Sequence, residues 1–240
     1  MPETDAAARA QNVAAAKRLL RVTRLGALAT LFEGGAPLAT LVTLASDHDG
    51  APLLLMSDLS QHSKNLKADP RAGLLLALPA SRGDPLNSPR LSLSGRLARL
   101  AAPHARRRFL STHPKAKLYA GFADFSIYRL DVEAVHFNGG FGRAAPMAPA
   151  DILTSLDGAQ ALLEAEGAML EALDADRPAL ARLAPAHGAK PRRWRAIGLD
   201  PDGLDLALGA LAERITFAAP ALTPQAWRSA ADAISRSGAL

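Results

Sequence analysis

Between residues 53 and 72 the sequence gathers hydroxyl, amide, imidazole and ammonium groups into one short stretch. Ser57 comes first, then Ser60, Gln61, His62, Ser63, Lys64 and Asn65. The apolar run Leu53 to Met56 precedes them and Pro70 follows. A buried strand would deliver Ser57 at its end, and a helix starting near Ser60 would carry Gln61 to Asn65 in its first turns. A helix start offers free backbone N–H groups and the positive end of the dipole, so hydroxyls and cations beside it suit an anion such as a phosphate. The plainer alternative is that Ser60 caps the helix and that His62 and Lys64 are solvated. Asp47-His-Asp-Gly50 holds two carboxylates and one imidazole in a tight turn, too few oxygen ligands for calcium. Asp200-Pro-Asp-Gly203 reads as a turn. Gly139-Gly-Phe-Gly142 follows a strand, but Pro146 comes before any helix, which does not suit dinucleotide binding. There is no Gly-x-Ser-x-Gly elbow. There is also no cysteine, which excludes disulfides, thiolate nucleophiles and iron–sulfur clusters.

The elements that must position these groups can be read from the pattern. Residues 5–22 form an Ala-rich amphipathic helix with Val13, Leu19, Leu20 and Val22 on its apolar side. Leu25 to Leu31 and Leu38 to Ala45 read as a hairpin around Glu33-Gly-Gly-Ala-Pro37, and Pro52 to Met56 as a third strand. A helix over Ser60 to Ala68 precedes a fourth strand, Gly73 to Leu78, and a loop over 79–89. Arg90 to Leu100 alternates as a half-buried strand should, Pro103 opens a helix to about His113, and Ser126 to Phe137 alternates again. Short, closely spaced strands closed by a few helices predict a barrel. Gly139 to Pro149 reads as a linker, which divides the chain into domains at 1–148 and 149–240. The second half reads as helix over 155–187, strands at Arg193 to Leu199, Leu204 to Leu208 and Glu213 to Phe217, and a final helix capped by Thr223. The fold class is therefore α+β, a barrel followed by a small α+β domain.

Composition narrows the function. A net charge of +5 invites a nucleic-acid reading, but the basic clusters Arg106-Arg107-Arg108 and Lys190 to Arg195 are short and aromatics make up only 5%. No nucleic-acid partner is expected. The N-terminus has no basic region followed by an apolar one, and no apolar run approaches a membrane span, so a cytoplasmic protein without a membrane partner is expected.

Several short segments occur in a fixed order: Gly26-Ala-Leu-Ala-Thr30, Gly35-Ala-Pro-Leu-Ala-Thr40, Leu53 to Ala72, Arg90-Leu-Ser-Leu-Ser-Gly95, His113-Pro-Lys-Ala-Lys-Leu-Tyr119, Asp124-Phe-Ser-Ile-Tyr-Arg-Leu130 and Gly139 to Ala144. Together, over residues 10–148, they resemble the pyridoxamine 5′-phosphate oxidase-like FMN-binding split-barrel family, in its branch associated with haem utilisation. The remainder is similar to the small domain that often follows such barrels.

The resemblance implies FMN bound at a homodimer interface, and an oxidoreductase acting on a small-molecule substrate. It implies that Thr40, Leu41 and Val42 line the flavin and that Met56 and Ser57 meet the ring and ribityl chain. It places Gln61 and His62 at the phosphate, Asn65 in the branch's His-x-x-Asn pattern, and Arg90 at the flavin from the partner side. Gln61–His62 is a weaker phosphate clamp than an Arg–Lys pair. The closing Trp and Arg of the vitamin B6 oxidases have no counterpart, so pyridoxine synthesis is not expected. The alternative that the branch implies is haem binding or degradation, with His62, Asp124 and His136 as candidates. Arg143-Ala-Ala-Pro146 stands where haem-degrading relatives carry a histidine or aromatic, and Asp174-Ala-Asp-Arg177 where they carry Asn-x-Asp-His. These losses rank haem below flavin. A third reading is a non-catalytic cofactor-binding dimer.

Overall fold

The computed structural model describes residues 2–78, 84–140, 144–186 and 193–237. The expected segment Phe141-Gly-Arg143 and the basic residues 190–192 lie outside them. The chain divides into two units, Met1–Leu153 and Thr154–Leu240.

The first unit begins with α1 (Pro2–Val22), whose Ala-rich sequence favours helix and whose Ala16, Leu19 and Leu20 are buried in the core. The strands β1 (Leu25–Leu31), β2 (Pro37–Thr43), β3 (Ala45–Ser46), β4 (Pro52–Ser57), β5 (Arg71–Ala77), β6 (Arg90–Arg99), β7 (Phe125–Asn138) and β8 (Ala144–Met147) form one antiparallel sheet. Its order is β2-β1-β5-β6-β7-β4-β3, and β8 pairs off this path with β7. The sheet curls into a split barrel around Leu28, Leu54, Leu74, Leu91, Leu93, Leu130 and Phe137. β7 makes the curl possible: its first half pairs with β4, its last residues with β8, and nearly its whole length with β6. A register shift between Ser94 and Gly95 bends β6 against it. Only glycine fits there, because a Cβ on Gly95 would lie 1.9 Å from the Asp131 carbonyl oxygen.

The continuous apolar run of β4 is explained by burial on both faces. Leu54 and Met56 face the barrel core, while Leu53 packs with Ala105, Phe109 and Ile127 under α3 (Pro103–Thr112). The short helix α2 (Gln61–Ala68) leaves β4 after a three-residue turn and rests on β1 through buried Asn65 and Leu66.

The later part of the stretch expected as a linker at 139–149 is regular structure. Ala144–Met147 adds a strand to β7, and α4 (Pro149–Ile152) buries Ile152 in the barrel core. Pro146 hides this from the sequence, yet an edge strand tolerates a proline that cannot donate. The first unit therefore continues to Leu153 rather than ending at 148.

The second unit is a meander, β9 (Arg195–Asp200), β10 (Gly203–Leu208) and β11 (Leu211–Thr216), in the order β11-β10-β9. The helices α5 (Gln160–Ala175), α6 (Arg177–Ala186) and α7 (Pro224–Ser237) share a core with it, including Leu199, Leu206 and Trp227. The Thr223 hydroxyl accepts the Ala226 amide at 3.1 Å, which is the N-cap expected from Thr223-Pro224. Within the sheet Arg214 is buried between the carboxylates of Asp200 and Asp205, at 2.6 and 3.0 Å. Among the described residues no helix is long and apolar enough to cross a membrane.

Candidate functional site

The strand-to-helix junction expected from the sequence is present, with one difference that matters. Ser60 does not cap α2. Its hydroxyl donates instead to the Ser57 carbonyl at 2.7 Å and lies 2.9 Å from the Ser63 hydroxyl. The first amides of α2 therefore keep no side-chain cap, and the N-terminal end of the helix retains its capacity for an acceptor. Ser57 Oγ donates to Asp124 Oδ2 at 2.5 Å and accepts the Leu59 amide at 3.1 Å. The Asp58 amide donates to the Asp124 carbonyl at 2.8 Å. The turn before β7 is thus tied to the turn before α2. Two large apolar side chains stand exposed on these turns, Leu59 at 75% and Phe122 at 60%.

α2 aims its side chains in two directions. Asn65, buried, donates to Thr30 Oγ1 at 3.1 Å and accepts from Gln61 Nε2 at 2.9 Å. His62, half-buried, sits with Nδ1 3.2 Å from Thr40 Oγ1. Burial pushes the His62 imidazole below its ordinary value, so the ring is neutral near pH 7. With Thr40 engaging Nδ1, Nε2 is the ring nitrogen left for a ligand.

The structure brings Thr40, Ser57, Gln61, His62, Asn65 and Asp124 around α2 and its approach. It separates other expected site residues from them. Val42 and Met56 turn their side chains into the core, so only their main chain could meet a cofactor. Along β2 that is feasible, because β2 ends the sheet path and among the described residues pairs only with β1. Leu41, 70% exposed, lies on the opposite face of β2 from Thr40, as strand alternation requires. Arg90 begins β6, and its Nη1 donates to the Leu86 carbonyl at 2.8 Å. His136 is exposed near the far end of β7 from Asp124. Twelve strand residues span roughly 40 Å, so within one chain these two side chains do not meet.

His136 and Leu41 belong to a surface that the sequence reading missed. Two rows of cross-strand neighbours run over the outer face of five strands. One row is Leu41, Ala27, Leu75, Ser92 and His136; the other is Ala39, Ala29, Gly73, Ser94 and Ala134. Their small side chains leave a shallow depression of about 430 Å³. Leu75 is 41% exposed. The signal was available: Ala27, Ala29 and Ala39 occupy outward positions where a solvated strand would carry charge.

Comparison with known proteins places the chain among relatives. Residues 7–153 match the family model described as CREG, beta-barrel. The chain is 31% identical over 145 residues, 58% of its length, to the chloroplastic non-canonical heme oxygenase HOZ of Arabidopsis thaliana, and spans 44% of the length of that relative. The crystal structure of Atu2129, a protein of unknown function from Agrobacterium tumefaciens str. C58, superposes with a TM-score of 0.84 at 36% identity, covering 93% of this chain and 94% of that one. The structure of a heme binding protein from Mycobacterium smegmatis superposes with a TM-score of 0.56 at 28% identity, covering 95% and 97%.

Proposed function

The chain belongs to the CREG, beta-barrel, family, and we propose that it is a haem-binding protein whose iron ligand is His62 near the start of α2. The observation that carries this reading is the state of His62. A half-buried imidazole held neutral, with Nδ1 engaged by Thr40, suits an iron atom better than a phosphate dianion. Leu59, on the turn before α2, and Phe122, on the turn before β7, offer exposed apolar surface for a porphyrin ring, and Asp124 is held at the approach to α2 by Ser57. The haem names of the Arabidopsis and Mycobacterium smegmatis proteins support the same reading. Haem would supply the redox-active iron. The chain would supply an imidazole oriented by the Thr40 hydroxyl and a carboxylate held by a hydroxyl.

A second reading is favoured by the uncapped start of α2: FMN, with its phosphate on the amides near Gln61 and His62 and its ring along the free edge of β2, in a flavin oxidoreductase. In both readings the protein works as a homodimer through the outer sheet face, whose small and apolar rows support such an interface.

Titration of the purified full chain with haemin tests the first reading. A Soret band should grow to saturation at one haem per chain. The His62→Ala variant should bind at least tenfold more weakly, while His136→Ala should bind like the wild type. Equal binding by His62→Ala and wild type would overturn the assignment of the ligand. Saturable uptake of FMN with no uptake of haem would replace the first reading by the second.

A further inference from the structure

A second cluster of ligating side chains lies at the turn joining β3 to β4, at the opposite end of β4 from α2. Asp47 and His48 are buried in that turn, which closes through a Gly50 amide to Asp47 carbonyl bond of 3.0 Å. Gly50 takes a positive φ of 97° there, and a Cβ at this position would lie 3.4 Å from the Arg21 guanidinium. His104 arrives from the first turn of α3, and its Nε2 stands 3.1 Å from Asp47 Oδ1. His48 Nδ1 is 4.0 Å from the same oxygen, and the two imidazole rings stack with centroids 4.7 Å apart. The ligand atoms of all three residues lie within 4.8 Å of one another.

We propose that Asp47, His48 and His104 form a binding site for a divalent transition-metal ion of the zinc class, remote from α2. Two imidazoles and a carboxylate are the donor set of zinc, copper, nickel and ferrous sites. Two ligands that each stand about 2 Å from a shared ion lie no more than about 4 Å apart, and the separations of the His104 and His48 nitrogens from Asp47 Oδ1, 3.1 and 4.0 Å, fall within that reach.

The frame around the donors is already fixed. The other Asp47 oxygen accepts Arg129 Nε at 3.0 Å, and Oδ1 also accepts the His48 amide at 2.8 Å. Arg21 holds the carbonyls of Asp47 and His48 at 3.0 and 2.8 Å, and Arg108 holds that of Ser46 at 2.8 Å. Little ordering is left for an ion to impose. Arg129 also pairs with Asp49, so that one guanidinium serves two carboxylates. The remaining guanidiniums weaken a purely ionic hold. A hard ion such as magnesium therefore gains little, and binding rests on donation from nitrogen. His104 keeps about a third of its side chain exposed, which leaves a solvent-facing position for water and a path of entry.

Isothermal titration of the metal-free full chain with zinc chloride tests the site, with magnesium chloride as the comparison. The wild type should bind one zinc ion and show a raised Tm with zinc. His104→Ala, which removes a partly exposed ligand and leaves the Asp47–Arg129 pair in place, should bind at least tenfold more weakly and show no rise. His62→Ala and His136→Ala should bind zinc as the wild type does. The proposal is overturned if the wild type takes up no zinc, if His104→Ala matches it, or if magnesium binds as tightly. The haem reading does not depend on any of these outcomes.

Discussion

At the scale of single residues, burial decides what the histidines can do. Both His62 and His113 are pushed below the ordinary value of 6.5, in each case chiefly by desolvation. For His113 the Leu44 carbonyl, 2.7 Å from Nε2, pulls the other way, while Arg24 adds to the depression. The folded state thus takes up the proton less readily than the unfolded chain. Their stabilising contribution is complete above pH 6.5 and is lost as the pH falls through the interval between that value and the depressed one. Tm should be flat from pH 8 to 7 and decline as the pH falls below 6.5, and His113→Gln should flatten the decline. An unchanged slope in that variant would exclude His113 as a cause. Arg214 presents the opposite case. Asp200 and Asp205 are almost wholly buried, and Arg214 is the cation that lies between them. Arg214→Ala should cost about 3–5 kcal/mol in urea unfolding, because it strands buried carboxylates. A loss below 1 kcal/mol would show that they find another partner or water. Little of this could be read from the sequence. His62 stood out because it lies near a helix start, but the sequence could not say that Ser60 would turn away from the cap or that Thr40, 22 residues earlier, would hold the ring.

At the scale of elements, what could be read followed periodicity. The hairpin of β1 and β2, the alternation in β6 and β7, and the start of α7 at Thr223-Pro224 all announce themselves, because each buries one face or satisfies one cap locally. Two features did not. Ala144–Met147 looked like a linker because its alanines and proline carry no period, and only the exposed edge of β7 makes it a strand. The helical stretch expected over 155–187 is two helices, α5 and α6, which break at Asp176 where its side chain accepts the Ala179 amide at 3.0 Å. The bulge in β6 is likewise invisible in sequence, since its glycine is explained only by the backbone of β7. Gly95→Ala should destabilise the barrel by roughly 3 kcal/mol or more, because its Cβ would overlap the Asp131 carbonyl and a strand buried on its inner side cannot shift freely. Chemical denaturation checks it. A variant within 0.5 kcal/mol of wild type would mean that the sheet closes without this bend.

At the scale of the whole molecule, the outer face of the barrel asks for a partner. A sheet face that meets water normally alternates polar residues outward. Here five adjacent strands place Ala27, Ala29, Ala39, Leu41, Leu75 and Ala134 outward, with Ser92, Ser94 and His136 among them. Small residues flatten the face and let a second backbone approach closely, and the exposed leucines supply area whose removal from water drives association at about 25 cal/mol per Å². A two-fold pairing of this face with itself would bring the same rows of both chains together, and a standard interface needs about 800 Å² from each. Size-exclusion chromatography with light scattering at tens of micromolar should therefore give a dimer. Ala29→Arg places a long cation on this small-residue face, within the row Ala39, Ala29, Gly73, Ser94 and Ala134, where burying it in an interface between two copies is costly. It touches no core residue, so it should shift the species to a monomer while lowering Tm only by the loss of the interface. If haem or FMN binding needs the dimer, that variant should lose cofactor although Thr40, His62 and Asn65 are untouched. A wild-type chain that is monomeric at that concentration, or an Ala29→Arg variant that stays dimeric, rules out this face as the contact.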